Sequence, residues 1–426
     1  MVDVRLAGPA KRTPTGERPD ESDLPHDLTQ LRRRAGTLAR GLPAGRAEVD
    51  GDGLAAERLA AFAEGLVLGC YRFDRASRPR GGADEIDVTG PPDDSANRRA
   101  VAAGVAAAQA TVWARELANV RSGEKNPAWL AAEAQRTLTP LGVDVQTRDV
   151  DWLRAHGFGG VLAVGGGSAS PPRLIEASWR PRRAQRGVHV VLVGKGITFD
   201  TGGLNRKTGT GMNTMHTDMA GGAAVLGALR LVAEHRLPVR VTALVPAAEN
   251  ALSGSSYRPG DVVRHVGGRT SEIANTDAEG RIVLADALAY AAARLRPTHL
   301  IDIATLTGAM KTALGLRIAG LFATSDELAR ALLAAAEEAD EPLWRMPMPA
   351  EYAGLLDSSV ADANNAPGSP GAITAALFLR PFAGDVAWAH LDIAGPARAA
   401  KDDGAVSRGA TGFGVRLLHR FVQSLG

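Results

Sequence analysis

His189-Val-Val-Leu-Val-Gly194 runs without a break into Lys195-Gly-Ile-Thr-Phe-Asp200-Thr-Gly-Gly203. A β-branched apolar run bounded by glycine predicts a strand buried on both faces, and glycines this dense let the backbone turn tightly around a ligand or a metal. A lysine at the end of such a strand is costly. Either it pairs with a carboxylate, or its pKa falls until the neutral amine binds a metal directly. Working outward, further short runs predict strands over residues 143–148, 160–164, 173–179, 239–245, 299–304, 320–323 and 388–392, with helical segments between them. That alternation predicts an α/β fold whose mostly parallel central sheet is flanked by helices. Ligands of such sheets gather at the carboxyl ends of the strands, which is where the unusual residues fall.

Asp200 follows Lys195 by five residues, and Asp218 stands just before a helix that opens Met219-Ala-Gly-Gly222. A second cluster, Asn275-Thr-Asp-Ala-Glu-Gly-Arg281, precedes an apolar helix through Leu284, Ala287 and Leu288. In an extended loop Asp277 and Glu279 lie on one side, two residues apart, and Arg281 follows on that side. Taken alone, an Asp-x-Glu is more often a feature of a helix N-terminus, and a lone Lys195 would be a salt bridge. Brought together, four carboxylates repel and raise one another's pKa, so divalent ions are their natural counter-charge. Oxygen ligands with one amine suit Zn, Mn, Mg or Co, and four carboxylates suffice to bridge two ions for hydrolysis.

The length of 426 residues and the apolar content predict two domains with sizeable cores. A formal charge of +2, with basic residues scattered rather than blocked, gives no reason to expect nucleic acid. The single cysteine, Cys70, sits in an apolar run and reads as a core residue; it cannot form an internal disulfide, which fits a reducing compartment. No signal peptide and no membrane-spanning run is evident, so the cytoplasm is the expected location. Residues 1–26, rich in Pro, Asp, Glu, Arg and Gly, predict a disordered tail. Helices are expected from Leu28 and through Ala55 to Phe62, residues 75–98 read as loop, and a long alanine-rich helix over 99–117 connects a small domain (27–115) to a catalytic one (116–426).

Lys195-Gly-Ile-Thr-Phe-Asp200-Thr-Gly-Gly and Asn275-Thr-Asp-Ala-Glu-Gly-Arg281 resemble the two signature motifs of the leucyl aminopeptidase family of cytosolic metallo-exopeptidases. The likeness continues through Pro246-Ala-Ala-Glu-Asn250, Tyr257-Arg-Pro-Gly-Asp261, Ala304-Thr-Leu-Thr-Gly308, Gly371-Ala-Ile-Thr-Ala375 and His390-Leu-Asp-Ile-Ala-Gly395, over roughly residues 115–426. It implies a phosphorylase/hydrolase-like catalytic fold and an enzyme that releases N-terminal residues from peptides. The family pattern implies one metal held by Lys195, Asp200, Asp218 and Glu279 and a second, more exchangeable one held by Asp200, Asp277 and Glu279. A water bridging the two ions would attack the scissile carbonyl. Lys207 matches the lysine that stabilises the oxyanion, and Arg281 matches the arginine that holds a bicarbonate acting as proton shuttle. Met215, Thr305, Gly308 and Ala410 match positions lining the pocket for the first side chain. Zn and Mn lead the candidate metals, and a hexamer of two stacked trimers is the implied assembly.

The chain departs from that pattern in places. Only about 115 residues precede the catalytic part, without evident opening strands, so the N-terminal α/β domain reads as truncated or recast. Asn205-Arg206-Lys207-Thr208 replaces the more usual Ser-Leu-Lys-Pro, Asn213 stands where an acidic residue is common, and the stretch from Asn119 to Pro127 lacks the usual proline-rich form. These departures motivate a rival expectation, a dipeptidase or maturation peptidase of a biosynthetic pathway with the same chemistry. A non-catalytic scaffold or DNA-binding relative is the second rival; retention of every ligand position, Lys207 and Arg281 argues against it.

Overall fold

The computed structural model describes residues 2–8, 27–76 and 82–426. It divides into two compact units, Met1–Trp113 with Ala399–Thr411, and Ala114–Arg398 with Gly412–Gly426.

In the first unit, β1 (Asp3–Gly8), β2 (Gly45–Asp50) and β3 (Ala83–Thr89) form a parallel sheet in the order β1-β3-β2. The expected tail therefore opens with a strand, in which Val4 is buried; residues 9–26, the rest of that tail, lie outside the described residues. The expected loop over 75–98 holds the central strand. Its Asp84 faces solvent while Ile86 and Val88 are fully buried, and charge at the strand's start masks the alternation. Helices α1 (Leu28–Gly41) and α2 (Ala56–Cys70) stand where the apolar spacing predicts them. They pack closely because a Cβ on Gly69 would meet the carbonyl oxygen of Gly36 at 2.2 Å. α3 (Ser95–Asn119) follows, and the division between units falls inside it.

The second unit carries β4 (Asp144–Arg148), β5 (Arg173–Trp179), β6 (His189–Gly194), β7 (Gly196–Asp200), β8 (Arg240–Asn250), β9 (Val262–Arg264), β10 (Thr270–Glu272), β11 (His299–Ala304), β12 (Ala319–Ala323), β13 (Leu343–Arg345), β14 (Ala363–Asn364) and β15 (Ala387–Asp392). The main sheet has the order β13-β12-β15-β11-β6-β8-β5-β4, and β7 pairs with the far half of β8. The middle, from β15 to β8, is parallel; β5 and β12 run antiparallel to it. Reversed strands at the margins explain why "mostly parallel" is the right description.

Helices α4 (Pro127–Leu138), α5 (Val150–Ala155), α6 (Gly159–Gly165), α7 (Ala220–Glu234), α8 (Glu279–Tyr290), α9 (Gly308–Leu314), α10 (Asp326–Ala339), α11 (Gly371–Leu379) and α12 (Val415–Gln423) complete the unit. α7 packs on β6, β8 and β11 and touches α12, whereas α8 packs among α6, α11 and the same strands. Val191, Val193, Leu244, Leu284, Leu300 and Trp388 form the centre of one core and are fully buried, each contributing about 1.5–3 kcal/mol of transfer free energy. One expected strand, 160–164, is instead the helix α6. A seven-residue buried apolar run reads the same in either state, and here the contacts decide: Gly159 and Gly160 lie flat against the carbonyls of Arg264 and Ile282.

Candidate metal centre

β6 ends at Gly194, and a side chain there would collide with Gly221, the Cβ falling 2.4 Å from that carbonyl oxygen. A Cβ on Gly221 would fall 2.0 Å from the oxygen of Ile303. The first turn of α7 can thus lie directly on β6 and β11, and Asp218, two residues ahead of α7, is delivered to Lys195. Lys195 Nζ is 2.8 Å from Asp218 Oδ2 and 2.8 Å from Glu279 Oε1, and it donates to the carbonyl of Thr305 at 3.0 Å. Glu279 is the first residue of α8, and its follower Gly280 is a glycine for a local reason, since a Cβ would lie 2.7 Å from Lys195 Cε.

Asp200 closes β7. Gly202 and Gly203, with φ of 87° and 62°, then turn the chain in a region that costs other residues. The turn brings Lys207 back so that its Nζ lies 2.8 Å from Asp200 Oδ2 and 2.5 Å from Asp277 Oδ1. Oxygens of Asp200, Asp277 and Glu279 lie within 4.8 Å of one another. The loop carrying Asp277 is pinned to the Gly202 turn through one residue. Thr276 donates its hydroxyl to the carbonyl of Gly202 at 2.7 Å and accepts from the backbone N–H of Asn205 at 2.9 Å, while the Asn205 side chain accepts from Thr276 N at 2.9 Å.

Lys195, Asp200, Asp218 and Glu279 are all buried, so the charges repel with little solvent between them. Burial, with Asp200 beside it, pushes the Glu279 carboxyl up to about 7 and that of Asp277 up to about 6. Burial alone would pull Lys195 down, but Asp218, Glu279 and Asp200 outweigh it and hold the lysine above its ordinary value. The amine of Lys195 is held among the carboxylate oxygens of Asp218 and Glu279. Two ammonium groups thus sit among four carboxylates.

The bonding is nonetheless incomplete. Among the described residues, the buried Glu279 Oε2 has no hydrogen-bond partner, and Asp218 Oδ2 and Asp277 Oδ1 meet only the lysine ion pairs. Three inward oxygens without neutral donors, beside an amine nitrogen, are what hard divalent cations take. The residues present therefore fit a metal centre. Arg281, in the first turn of α8, donates Nη1 to the carbonyl of Asn365 at 2.7 Å, and among the described residues its buried Nε has no partner. Burial lowers its pKa to about 10 despite Glu279 and Asp392. An open donor on a buried guanidinium suits a small anion.

The expected pocket residues fare differently. Met215 lies half-buried in the 3₁₀ run Gly209–Thr217, three residues before Asp218. The Thr305 hydroxyl is turned onto Asp218 Oδ1 at 2.6 Å. Gly308 opens α9 with free space where a Cβ would be. Ala410 belongs to the segment that groups with the first unit. Sequence reasoning left Asn205, Asn250 and Thr276 without a role, although Asn250 and Thr276 lie inside the quoted motifs.

The catalytic-domain model of the cytosol aminopeptidase family matches residues 112–419. The chain belongs to the cytosol aminopeptidase family. A probable cytosol aminopeptidase of Roseiflexus castenholzii is 46% identical over 84% of this chain and 75% of its own length, and one of Streptomyces coelicolor is 42% identical over 95% and 82%. Among solved structures, the bottromycin maturation enzyme BotP in complex with Mn superposes with a TM-score of 0.87 at 38% identity, covering 100% of both chains. As a cytosol aminopeptidase the chain is a metal-dependent hydrolase that removes residues from the amino end of peptides.

Proposed function

We propose that Lys195, Asp200, Asp218, Asp277 and Glu279 form a two-metal centre, and that the observation carrying this reading is the buried, unpartnered Oε2 of Glu279 amid three other carboxylates. Lys195, Asp200, Asp218 and Glu279 would hold one ion, and Asp200, Asp277 and Glu279 the other. Two divalent ions supply, when bound, the charge that acidifies an attacking water and anchors a free α-amine, which accounts for cutting only at the N-terminus. Mn and Zn are the leading candidates, Mn with the support of the BotP complex; Mg and Co remain compatible with the donor set.

Lys207 stands at the mouth of the cluster, partly exposed, on a loop fixed by Thr201 and the Asn205–Thr276 bonds. From there its ammonium is placed to stabilise the oxyanion that forms on the scissile carbonyl. Arg281 would hold a bicarbonate through its open Nε, next to the attacking water, to pass a proton to the leaving amine. Met215, Thr305 and Gly308 would shape the pocket for the first side chain.

A second reading has a specific observation behind it. BotP, a maturation enzyme, covers this chain end to end, and the same loops that differ from the family's common form, Asn205–Thr208 and Asn213, flank Lys207. A narrow substrate, as for a specialised dipeptidase or a maturation peptidase of a biosynthetic pathway, is thus the rival to broad peptide turnover. A cytoplasmic location is supported by the names of relatives, hexamer assembly rests on the family resemblance alone, and no helix among the described residues is long and apolar enough to cross a membrane.

Hydrolysis of a panel of aminoacyl-arylamides and dipeptides by metal-stripped protein refilled with Mn or Zn tests the proposal. Release of the first residue should require metal and vanish in Lys207→Ala and Glu279→Ala. Silence on the whole panel, with two ions bound per chain, would favour the narrow-substrate reading.

A further inference from the structure

The two oxygens of Asp200 have different surroundings. Oδ1 accepts from the backbone N–H of Gly202 and from Asn250 Nδ2, both at 2.8 Å, whereas Oδ2 faces only Lys207. Asn250 is the last residue of β8, sits directly across from Asp200 in the β7–β8 register, and is fully buried. Its Nδ2 also donates to the carbonyl of Thr276 at 3.0 Å. One amide nitrogen therefore ties a carboxylate on one motif to the backbone just ahead of Asp277 and Glu279 on the other.

The rest of this side chain shows what the site requires. Among the described residues Asn250 Oδ1 is buried with no partner, which is unfavourable for an acceptor shut away from water. The amide cannot turn over to relieve it, because the oxygen would then face Asp200 Oδ1 and the Thr276 carbonyl, both acceptors. A donor pair is kept here at the expense of a stranded acceptor. Asp218 shows the same division of labour: Thr305 donates its hydroxyl to Oδ1 at 2.6 Å and leaves Oδ2 to the interior. Among the described residues Glu279 receives no neutral donor on either oxygen.

We propose that Asn250 is a positioning residue of the metal centre, committing Oδ1 of Asp200 to the protein so that Oδ2 alone is offered inward, and setting the Asp277–Glu279 loop opposite it. The inference rests on reading these carboxylates as metal ligands. Loss of Asn250 frees Asp200 to rotate and lets the two loops part, so the effect falls first on metal affinity and only through it on turnover. Tyr257 separates this from general support of the loop. Its hydroxyl donates to the same Thr276 carbonyl at 2.7 Å, with no hydrogen bond to a carboxylate.

Calorimetric titration of Mn²⁺ into metal-stripped protein, with kcat and KM measured at limiting and saturating Mn²⁺, tests the proposal. Asn250→Ala, and Asn250→Leu in case the smaller residue leaves a damaging cavity, should weaken Mn²⁺ binding by about 10–100-fold, the range for losing an outer partner of a ligand. Saturating Mn²⁺ should restore much of the lost kcat, and Tyr257→Phe should bind Mn²⁺ nearly as the wild type does. Wild-type binding that Glu279→Ala abolishes and Asn250→Leu leaves unchanged would overturn the proposal alone, as would an equal loss in Tyr257→Phe. Failure of the wild type itself to bind Mn²⁺ would overturn the centre and the proposal with it.

Discussion

Helix α8 has a buried polar cluster at each of two places, and only one of them is unfinished. At its first residue Glu279 meets Lys195 and leaves an oxygen unpaired. Seven residues on, Asp286 Oδ1 accepts from His265 Nδ1 at 2.9 Å and from the backbone N–H of Val266 at 3.2 Å, and its Oδ2 accepts from Val161 N at 2.9 Å. His265 Nε2 in turn lies 2.9 Å from the hydroxyl of Ser271, and the ring of Phe382 stands edge-on to the imidazole at 5.0 Å. With Nδ1–H donating to Asp286, Nε2 accepts from Ser271, so the order of groups is that of a serine hydrolase. Ser271 and Asp286 are fully buried and His265 nearly so; every one of these polar atoms has a partner, and no substrate reaches them. The cluster joins α6, the β9–β10 hairpin and α8, which steadies the helix that carries Glu279 and Arg281. Residue types alone would rank the two clusters alike. What separates them is unsatisfied bonding at one and closure at the other.

Mutation should expose that difference as two opposite signatures. The largest effect is expected at the open cluster: Glu279→Ala should abolish metal-dependent turnover, and Lys207→Ala should lower kcat by about 10²–10³-fold, the scale for losing one oxyanion donor. Glu279→Ala should not harm the metal-free fold, because it removes one of four mutually repelling carboxylates; a thermal scan of stripped protein should show an unchanged or raised midpoint. Asp286→Ala should do the reverse. Stranding His265 and two backbone N–H groups costs about 3–5 kcal/mol in total by the penalty for unpaired buried donors, read as a fall in the urea midpoint. The kcat of the folded fraction should stay near wild type. A Glu279 variant that unfolds, or an Asp286 variant that folds well but is inactive, would erase the distinction.

How the two clusters appear in sequence follows from the same physics. The open cluster was legible because most of its groups come in two short motifs, Lys195 to Gly203 and Asn275 to Arg281, where glycines and charges stand against apolar strands; Lys207 and Asp218 stand outside them. The Asp286 cluster was not, since Val161, His265, Ser271 and Asp286 come from α6, the β9–β10 hairpin and α8, and no local pattern joins them. Asn250 falls between the cases: its motif stood out, but its use depends on the pairing of β7 with β8. Most of the sheet was legible from β-branched runs such as His189–Gly194 and His299–Ala304. β3 was hidden by the acidic residues Asp84 and Glu85 at its start, and α6 by a run too short to show a period.

Smaller effects sharpen the comparison further. Ser271→Ala removes one hydrogen bond from the closed cluster and should cost only about 0.5–1.5 kcal/mol, with turnover untouched, whereas a hydrolytic serine would lose activity outright. Hydrolysis assayed beside urea unfolding distinguishes the two.

A second closed cluster gives the subtlest test, because it should respond to pH. His189 opens β6, donates Nδ1–H to the carbonyl of Leu295 at 3.1 Å, and accepts at Nε2 from the hydroxyl of Thr242 at 3.0 Å. Burial, with Arg240 adding to it, lowers the pKa of this imidazole to about 4. The unfolded chain returns it to about 6.5. Between those values the unfolded state binds a proton that the folded state refuses, so unfolding becomes easier as pH falls. The contribution of His189 is thus whole above about pH 6.5 and is lost progressively down to about pH 4. Metal-stripped His189→Gln should be less stable than wild type at pH 7.5 yet decline less steeply below pH 6.5, so that the two urea midpoints converge toward pH 4. Parallel curves through that window would mean that the imidazole takes up its proton in the folded protein, and that this closed cluster, like the metal centre, has room for a charge.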